Sequence, residues 1–301
     1  MEKIIAIIGP TAAGKTALAI RLAKKLGGEL ISVDSRQIYK GMDIGTAKDK
    51  SYPQRLIDLI SPKTAFNVRR FQNLCRRQIR EVLKKKKLPI LVGGSGLYFN
   101  AVVYNLKIPR IGADEKLRAK LEKLNTAVLQ KKLERLDPEA AKVASGNKRR
   151  IIRALEVISK TGKPFSGQRK TGKPLFDILI IGLKVPREKL NGKIDERIDE
   201  QVKAGLIEEI KKLVKKYGKN AYALQNTIAY REFIPYLEGK IDLKEAIAEV
   251  KKNSRRFAKR QMTWFSTKGG SASGGKKQPD VRWVDSYSRA EHLTKKFLET
   301  P

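Results

Sequence analysis

A single cysteine, Cys75, occurs among the 301 residues. No disulfide can form within the chain, which fits a reducing compartment. Histidine is equally scarce: His292 stands alone, far from every motif, and reads as a surface residue. Without a His/Cys cluster there is no zinc site to propose. Long apolar runs are missing too, for no stretch approaches the roughly 18 uninterrupted residues of a membrane span. The segment Ile4–Ile8 near the N-terminus is too short for a signal-peptide core, and no small-residue cleavage site follows it. These absences predict a cytoplasmic globular protein with no membrane partner. The 41% of apolar residues suffices for a packed core.

Positive charge is abundant. Lys and Arg number 66 against 31 Asp and Glu, leaving +35. An excess of this size favours a polyanionic partner through phosphate neutralisation and counterion release. A general lysine bias is the bland alternative, since much of the excess lies on helix faces. An anionic membrane surface fits less well, because the Lys-rich helices lack Trp or Phe faces.

Hydrophobic patterning predicts strands at Ile4–Ile8, Leu30–Val33 and Pro89–Val92, with helices at Ala17–Leu26 and Phe66–Lys87 between them. Such alternation means an α/β fold, a parallel sheet flanked by helices. From about Pro109 the pattern becomes one of short, basic helices around Leu117, Leu121, Leu124, Val128, Leu129 and Leu133. Another is opened by Asp137-Pro138 and a further one runs from Asn147 to Ser159. A Gly/Lys/Pro loop over Thr161–Pro174 closes this stretch. Strand character returns at Ile178–Val185, followed by helices over Lys189–Lys216 and Asp242–Phe265. Lys268–Pro279 reads as a mobile Gly/Ser/Lys loop, Val281–Val284 as an edge strand and Glu291–Leu298 as a closing helix. The simplest organisation is a P-loop core, 1–109 and 173–301, interrupted by a helical insertion at 110–172.

Gly9, Pro10, Thr11, Ala12, Ala13, Gly14, Lys15 and Thr16 satisfy G-x-x-x-x-G-K-[ST], with a strand before and a helix after. The glycines let backbone N–H groups converge on phosphate oxygens at a helix N-terminus. Lys15 supplies a point charge, and the Thr16 hydroxyl can hold Mg²⁺. ATP, GTP and a simple diphosphate all fit this cradle. No apolar strand ends in Asp-Glu, so hydrolysis-driven motor activity lacks support. Asp34 falls at the carboxyl end of the second strand, where open α/β sheets assemble their sites. From position alone it could be a general base, a more remote magnesium ligand, or the cap of a turn.

Gly9–Thr16 as GPTAAGKT, Ile31–Tyr39 as ISVDSRQIY and Gly41–Lys48 as GMDIGTAK resemble the bacterial tRNA dimethylallyltransferases (tRNA isopentenyltransferases). So do Leu56–Asp58, LVGGSGLY at Leu91–Tyr98, RRIIRALEV at Arg149–Val157, GLIEE at Gly205–Glu209 and RRFAKRQMTWF at Arg255–Phe265. The series follows the family's order over roughly residues 4–285.

This resemblance implies a P-loop NTPase-like core holding the diphosphate of dimethylallyl diphosphate with Mg²⁺. Asp34 would accept a proton from the exocyclic amine of adenine, while Ser95 and Arg197 would stabilise the departing diphosphate. Read without the resemblance, Arg197 is a solvated helix arginine. The anticodon stem-loop of tRNA would meet Asp34, Ser35, Arg36, Gln37 and Ser95 around the flipped base. Arg118, Arg149, Arg150, Arg153, Arg255, Arg256, Lys259, Arg260 and Gln261 would grip the RNA, with one tRNA per monomer as the default. The chain departs from the family pattern in being shorter between Lys48 and Leu56 and at four further places. Gln54-Arg55 stands where a His-His pair is usual, Ser95 for Thr, Lys193 for Arg and Ala229 for Gly. A nucleotide or small-molecule kinase and an adenylate prenyltransferase are the enzymatic rivals. A GTPase-like RNA-binding module would want an N-K-x-D element, which the chain lacks.

Overall fold

The computed structural model describes residues 1–168, 171–266 and 280–300. The loop expected at Lys268–Pro279 lies outside them. The described residues form two compact units, one of 1–103, 175–266 and 280–300, the other of 104–168 and 171–174. The insertion expected at 110–172 falls within the second.

The first unit is built on strands β1 (Lys3–Ile8), β2 (Glu29–Ser32), β3 (Gln54–Arg55), β4 (Pro89–Gly93), β5 (Asp177–Leu183) and β6 (Val281–Val284). They form one sheet in the order β3-β2-β4-β1-β5-β6, and every pairing is parallel. A central parallel strand is covered on both faces, which calls for a continuous apolar run. Ile4, Ile5, Ala6 and Ile7 of β1 meet that demand and are fully buried. β1 pairs Ile8 with Gly93 of β4 on one side and with Gly182 of β5 on the other, while β2 pairs Ser32 with Val92. The carboxyl ends of β1, β2 and β4 therefore lie side by side, and the loops that follow them share one edge of the sheet.

Around the sheet run α1 (Lys15–Leu26), α2 (Val68–Lys84), α3 (Gly96–Val103), α8 (Arg187–Lys203), α9 (Leu206–Tyr217), α10 (Tyr222–Gln225), α11 (Tyr230–Leu237), α12 (Leu243–Ser266) and α13 (Tyr287–Glu299). Four of these elements had no expectation from sequence. β3 is only two residues long, and α3 is apolar nearly all round, so neither carries a period. The four-residue α10 is too short to show one, and α11 contains Pro235, which ordinarily reads as a break.

In the second unit, α4 (Glu115–Glu122), α5 (Thr126–Leu136), α6 (Pro138–Ala144) and α7 (Lys148–Thr161) surround Leu121, Leu129, Leu133, Ala140, Ile151, Ile152 and Leu155. Each helix is opened by an Asp or Asn whose side chain accepts a backbone N–H: Asp114, Asn125, Asp137 and Asn147. Such caps contribute about 1 kcal/mol apiece, which matters for helices of only two to four turns.

Candidate active site

The turn after β1 folds as a phosphate-binding loop for local reasons. Gly9 has φ 146°, Gly14 has φ 84°, and a β-carbon on Gly9 would stand 3.0 Å from the Leu183 carbonyl. Gly14 caps α1 without a side-chain acceptor, so no side chain of the cap claims the first-turn N–H groups. Lys15 Nζ donates to the Pro10 carbonyl at 2.6 Å. Desolvation pulls the ammonium pKa down to about 8, with the Asp34 carboxylate opposing and Arg197 adding to the fall.

Thr11 is held from two sides. Its hydroxyl accepts from Arg197 Nη2 at 2.7 Å, and its N–H donates to Gln261 Oε1 at 2.8 Å. Arg197 is therefore no solvated helix arginine. Its Nε is sealed from solvent and has no partner among the described residues. Desolvation lowers its pKa, and Asp34 again opposes. A buried donor left over in this way suits an anionic oxygen at the cradle.

After β2, Asp34 Oδ1 accepts from Arg36 N at 2.7 Å, so one carboxylate oxygen caps the turn. Lys15 and Arg197 both feel the charge of this group, which sets the carboxylate beside the cradle. Ser95, after β4, accepts from Ser35 N at 3.0 Å and donates to Ser35 Oγ at 3.3 Å. Gln37 is committed internally, taking Ser32 Oγ at 2.8 Å and giving Nε2 to the Thr46 carbonyl at 3.2 Å.

Sequence reasoning did not single out what holds these strips. Glu209 of α9 accepts the consecutive N–H groups of Asp43, Ile44 and Gly45 at 2.9, 2.8 and 3.3 Å, and the Tyr230 hydroxyl at 2.6 Å. Lys48, with no exposed side-chain surface, bonds the Tyr39 carbonyl, Asp43 and Asp58. The GMDIGTAK segment is thus a clamped support for Gln37. Only the glycine-rich turn hinted at it; the Glu209 carboxylate comes from 164–166 residues further on.

The residues expected to grip RNA separate into two kinds. Arg256, Lys259 and Arg260 of α12 are exposed, as are Arg149 and Arg150 of α7. Arg255 pairs with Asp195 at 2.6 Å. Gln261 belongs to neither kind: it is 6% exposed and turned into the core, away from the surface where an RNA contact was expected. Within the second unit, Arg118 bonds Glu156 through two nitrogens at 2.8 and 3.0 Å, and Arg153 bonds Glu156 and the Ile111 carbonyl. The Glu156 side chain is fully buried. Where the chain carries Gln54-Arg55, Arg55 pairs with Glu29 and Glu81 and ties β3 to the core. Ala229 adopts φ 77°.

Among the described residues no three His, Cys, Asp or Glu gather as a metal site. No helix among them is long and apolar enough to cross a membrane.

Two family profiles match, isopentenyl transferase over residues 2–56 and IPP transferase over residues 37–268. A tRNA dimethylallyltransferase of Geobacillus kaustophilus is 44% identical over 98% of this chain and 94% of its own length. The crystal structure of a tRNA isopentenylpyrophosphate transferase from Bacillus halodurans is 40% identical, covering 99% of this chain and 97% of that one, with a TM-score of 0.72. A eukaryotic dimethylallyltransferase solved acting on tRNA is 28% identical over 99% of this chain and 80% of that one, with a TM-score of 0.82. On residues 37–268, and on likeness along nearly its whole length, the chain belongs to the IPP transferase family.

Proposed function

We propose that this protein transfers the dimethylallyl group of dimethylallyl diphosphate to N6 of the adenine 3′ to the anticodon in tRNA. The observation that carries the reading is the meeting of Lys15, Arg197 and Asp34 at the end of the sheet, two cations and one carboxylate about a phosphate loop. In the reaction the exocyclic nitrogen forms a bond to the allylic carbon while the carbon–oxygen bond breaks. The electron pair leaves with the diphosphate, and the amine proton passes to Asp34. Lys15 and Arg197 offset the charge gathering on the leaving group, and the half-satisfied Arg197 guanidinium has a donor to spare. Asp34 supplies the base that a weakly nucleophilic aromatic amine requires, an effect of about 10²–10⁴ in rate.

The Thr16 hydroxyl, in the first turn of α1, would hold Mg²⁺ together with the oxygens of the diphosphate. Such an ion neutralises phosphate charge. Arg256, Lys259 and Arg260, and separately Arg149 and Arg150, are the exposed cations available for phosphate contact. A kinase would use the same cradle but gives no reason for these faces. The enzyme is read as a cytoplasmic monomer.

The test is transfer of label from radiolabelled dimethylallyl diphosphate into unmodified tRNA, with Asp34→Ala alongside. Labelling of the adenine 3′ to the anticodon, dependent on Mg²⁺ and lost in Asp34→Ala, is the expected result. Labelling of free AMP alone, or consumption of ATP with no transfer, would refute it.

A further inference from the structure

Gln261 sits on the helix whose exposed face carries Arg256, Lys259 and Arg260, yet it points the other way. Its Oε1 accepts the Thr11 N–H at 2.8 Å and its Nε2 donates to the Gly94 carbonyl at 2.9 Å. One amide thus uses both its acceptor and a donor to join the loop after β1 to the loop after β4. Gly94 leads directly into Ser95, whose hydroxyl holds Ser35 beside Asp34. Three strand-end loops are therefore linked through a single side chain. The fit is close: a β-carbon on Gly94 would stand 2.2 Å from Gln261 Nε2. One helical turn on, Trp264 closes over the same loop, for a β-carbon on Gly96 would meet its indole at 2.3 Å.

The occupied Thr11 N–H has a second consequence. That amide is withdrawn from direct phosphate contact, and the Thr11 hydroxyl is engaged by Arg197. Thr11 works as a fixed hinge between Arg197 and Gln261.

We infer that Gln261 is a positioning residue for the transfer reaction, setting the spacing between the phosphate cradle and the Ser95–Asp34 side of the site through its amide bridge from Thr11 to Gly94. This rests on the prenyl-transfer reading above. It also removes Gln261 from the RNA-contact surface: its loss acts on the chemical step and on donor binding, and tRNA affinity is spared.

The experiment is steady-state transfer from dimethylallyl diphosphate to tRNA by full-length Gln261→Met, which fills similar volume without either hydrogen bond, with thermal unfolding recorded in parallel. The expected result is a kcat reduced by about 10–100-fold, with the KM for tRNA unchanged and the thermal midpoint close to wild type. Gln261→Glu supplies a second readout. When protonated, its carboxyl can both accept from Thr11 and donate to Gly94; when ionised it loses the donor. Its kcat as a ratio to wild type should therefore rise as pH is lowered. Lys15, Asp34 and Arg197, the charged groups about the cradle, are common to both proteins, so the ratio isolates residue 261. Wild-type kcat in Gln261→Met, or a raised KM for tRNA with kcat intact, overturns the proposal. So does a Gln261→Glu ratio that is flat with pH. A wild-type protein that transfers nothing to tRNA strikes the functional reading itself, and is seen before any variant is compared.

Discussion

Arginine is used in two opposite ways in the two units. In the helical unit, Arg118 and Arg153 converge on Glu156, which also takes the Asp114 N–H at 2.7 Å. Both charges and the backbone N–H are answered by one buried carboxylate within the unit. In the sheet unit, Arg197 bonds only a hydroxyl through Nη2, its Nε has no partner among the described residues, and Asp34 acts on it as a charge. Burying a cation so incompletely is costly unless an anion arrives to complete it. A closed network speaks for folding, and an open one for a ligand.

The largest effect that bears on this contrast belongs to Arg197→Ala. Transfer should fall by about 10³-fold while unfolding shifts little or moves upward, because a half-satisfied buried cation has been removed. A loss of stability matching the loss of rate would collapse the distinction. Glu156→Ala should behave inversely, costing about 1–3 kcal/mol by leaving the Asp114 N–H without its acceptor and two part-exposed arginines without their partner. Hydrogen exchange over 104–168 would register it. A smaller effect follows from Lys15, whose pKa is held down to about 8. Below that value the free enzyme presents the charged ammonium; above it, kcat/KM for the donor should decline toward tenfold per pH unit. Stability should move oppositely. The folded pKa lies below the unfolded value of 10.5, so the unfolded chain binds more protons and stability rises between about pH 8 and 10.5. The smallest effect is expected at Ala229, where φ 77° strains an alanine beside the Tyr230–Glu209 clamp. Ala229→Gly should gain up to about 1 kcal/mol, relief of left-handed strain less the glycine entropy. Unchanged transfer would show that this strain serves no step.

What could be read from sequence was whatever the chain writes locally. The P-loop announces itself by glycines at fixed offsets between a strand and a helix, and β1 by four consecutive buried aliphatics. Asp34 follows from its place at a strand end. The cap at Asp137 was legible because proline follows it. Other features depend on contacts that no short window contains. Whether Arg197 faces solvent turns on Thr11, 186 positions away, and the role of Gln261 on the same residue 250 positions away. Gln261, expected among the RNA contacts, is turned inward for this reason. Spacing puts a residue on a helix face, but the fold decides which face is covered. Arg118 and Arg153 looked like free cations since Glu156, an ordinary helix residue in sequence, gives no sign that it will be buried.

The strand order also bears on synthesis. Of the six strands of the sheet β1 is made first, yet its neighbours are β4 and β5, and the latter ends only at Leu183. At translation rates of about 5–20 residues per second, β1 waits roughly 10–35 s for its second edge. The Gln261 bridge arrives later still. A nascent chain therefore carries a run of five aliphatic residues, Ile4–Ile8, whose second edge stays open until β5 has been made. The strand that leads into the P-loop is thus open to mispairing until its second neighbour is made.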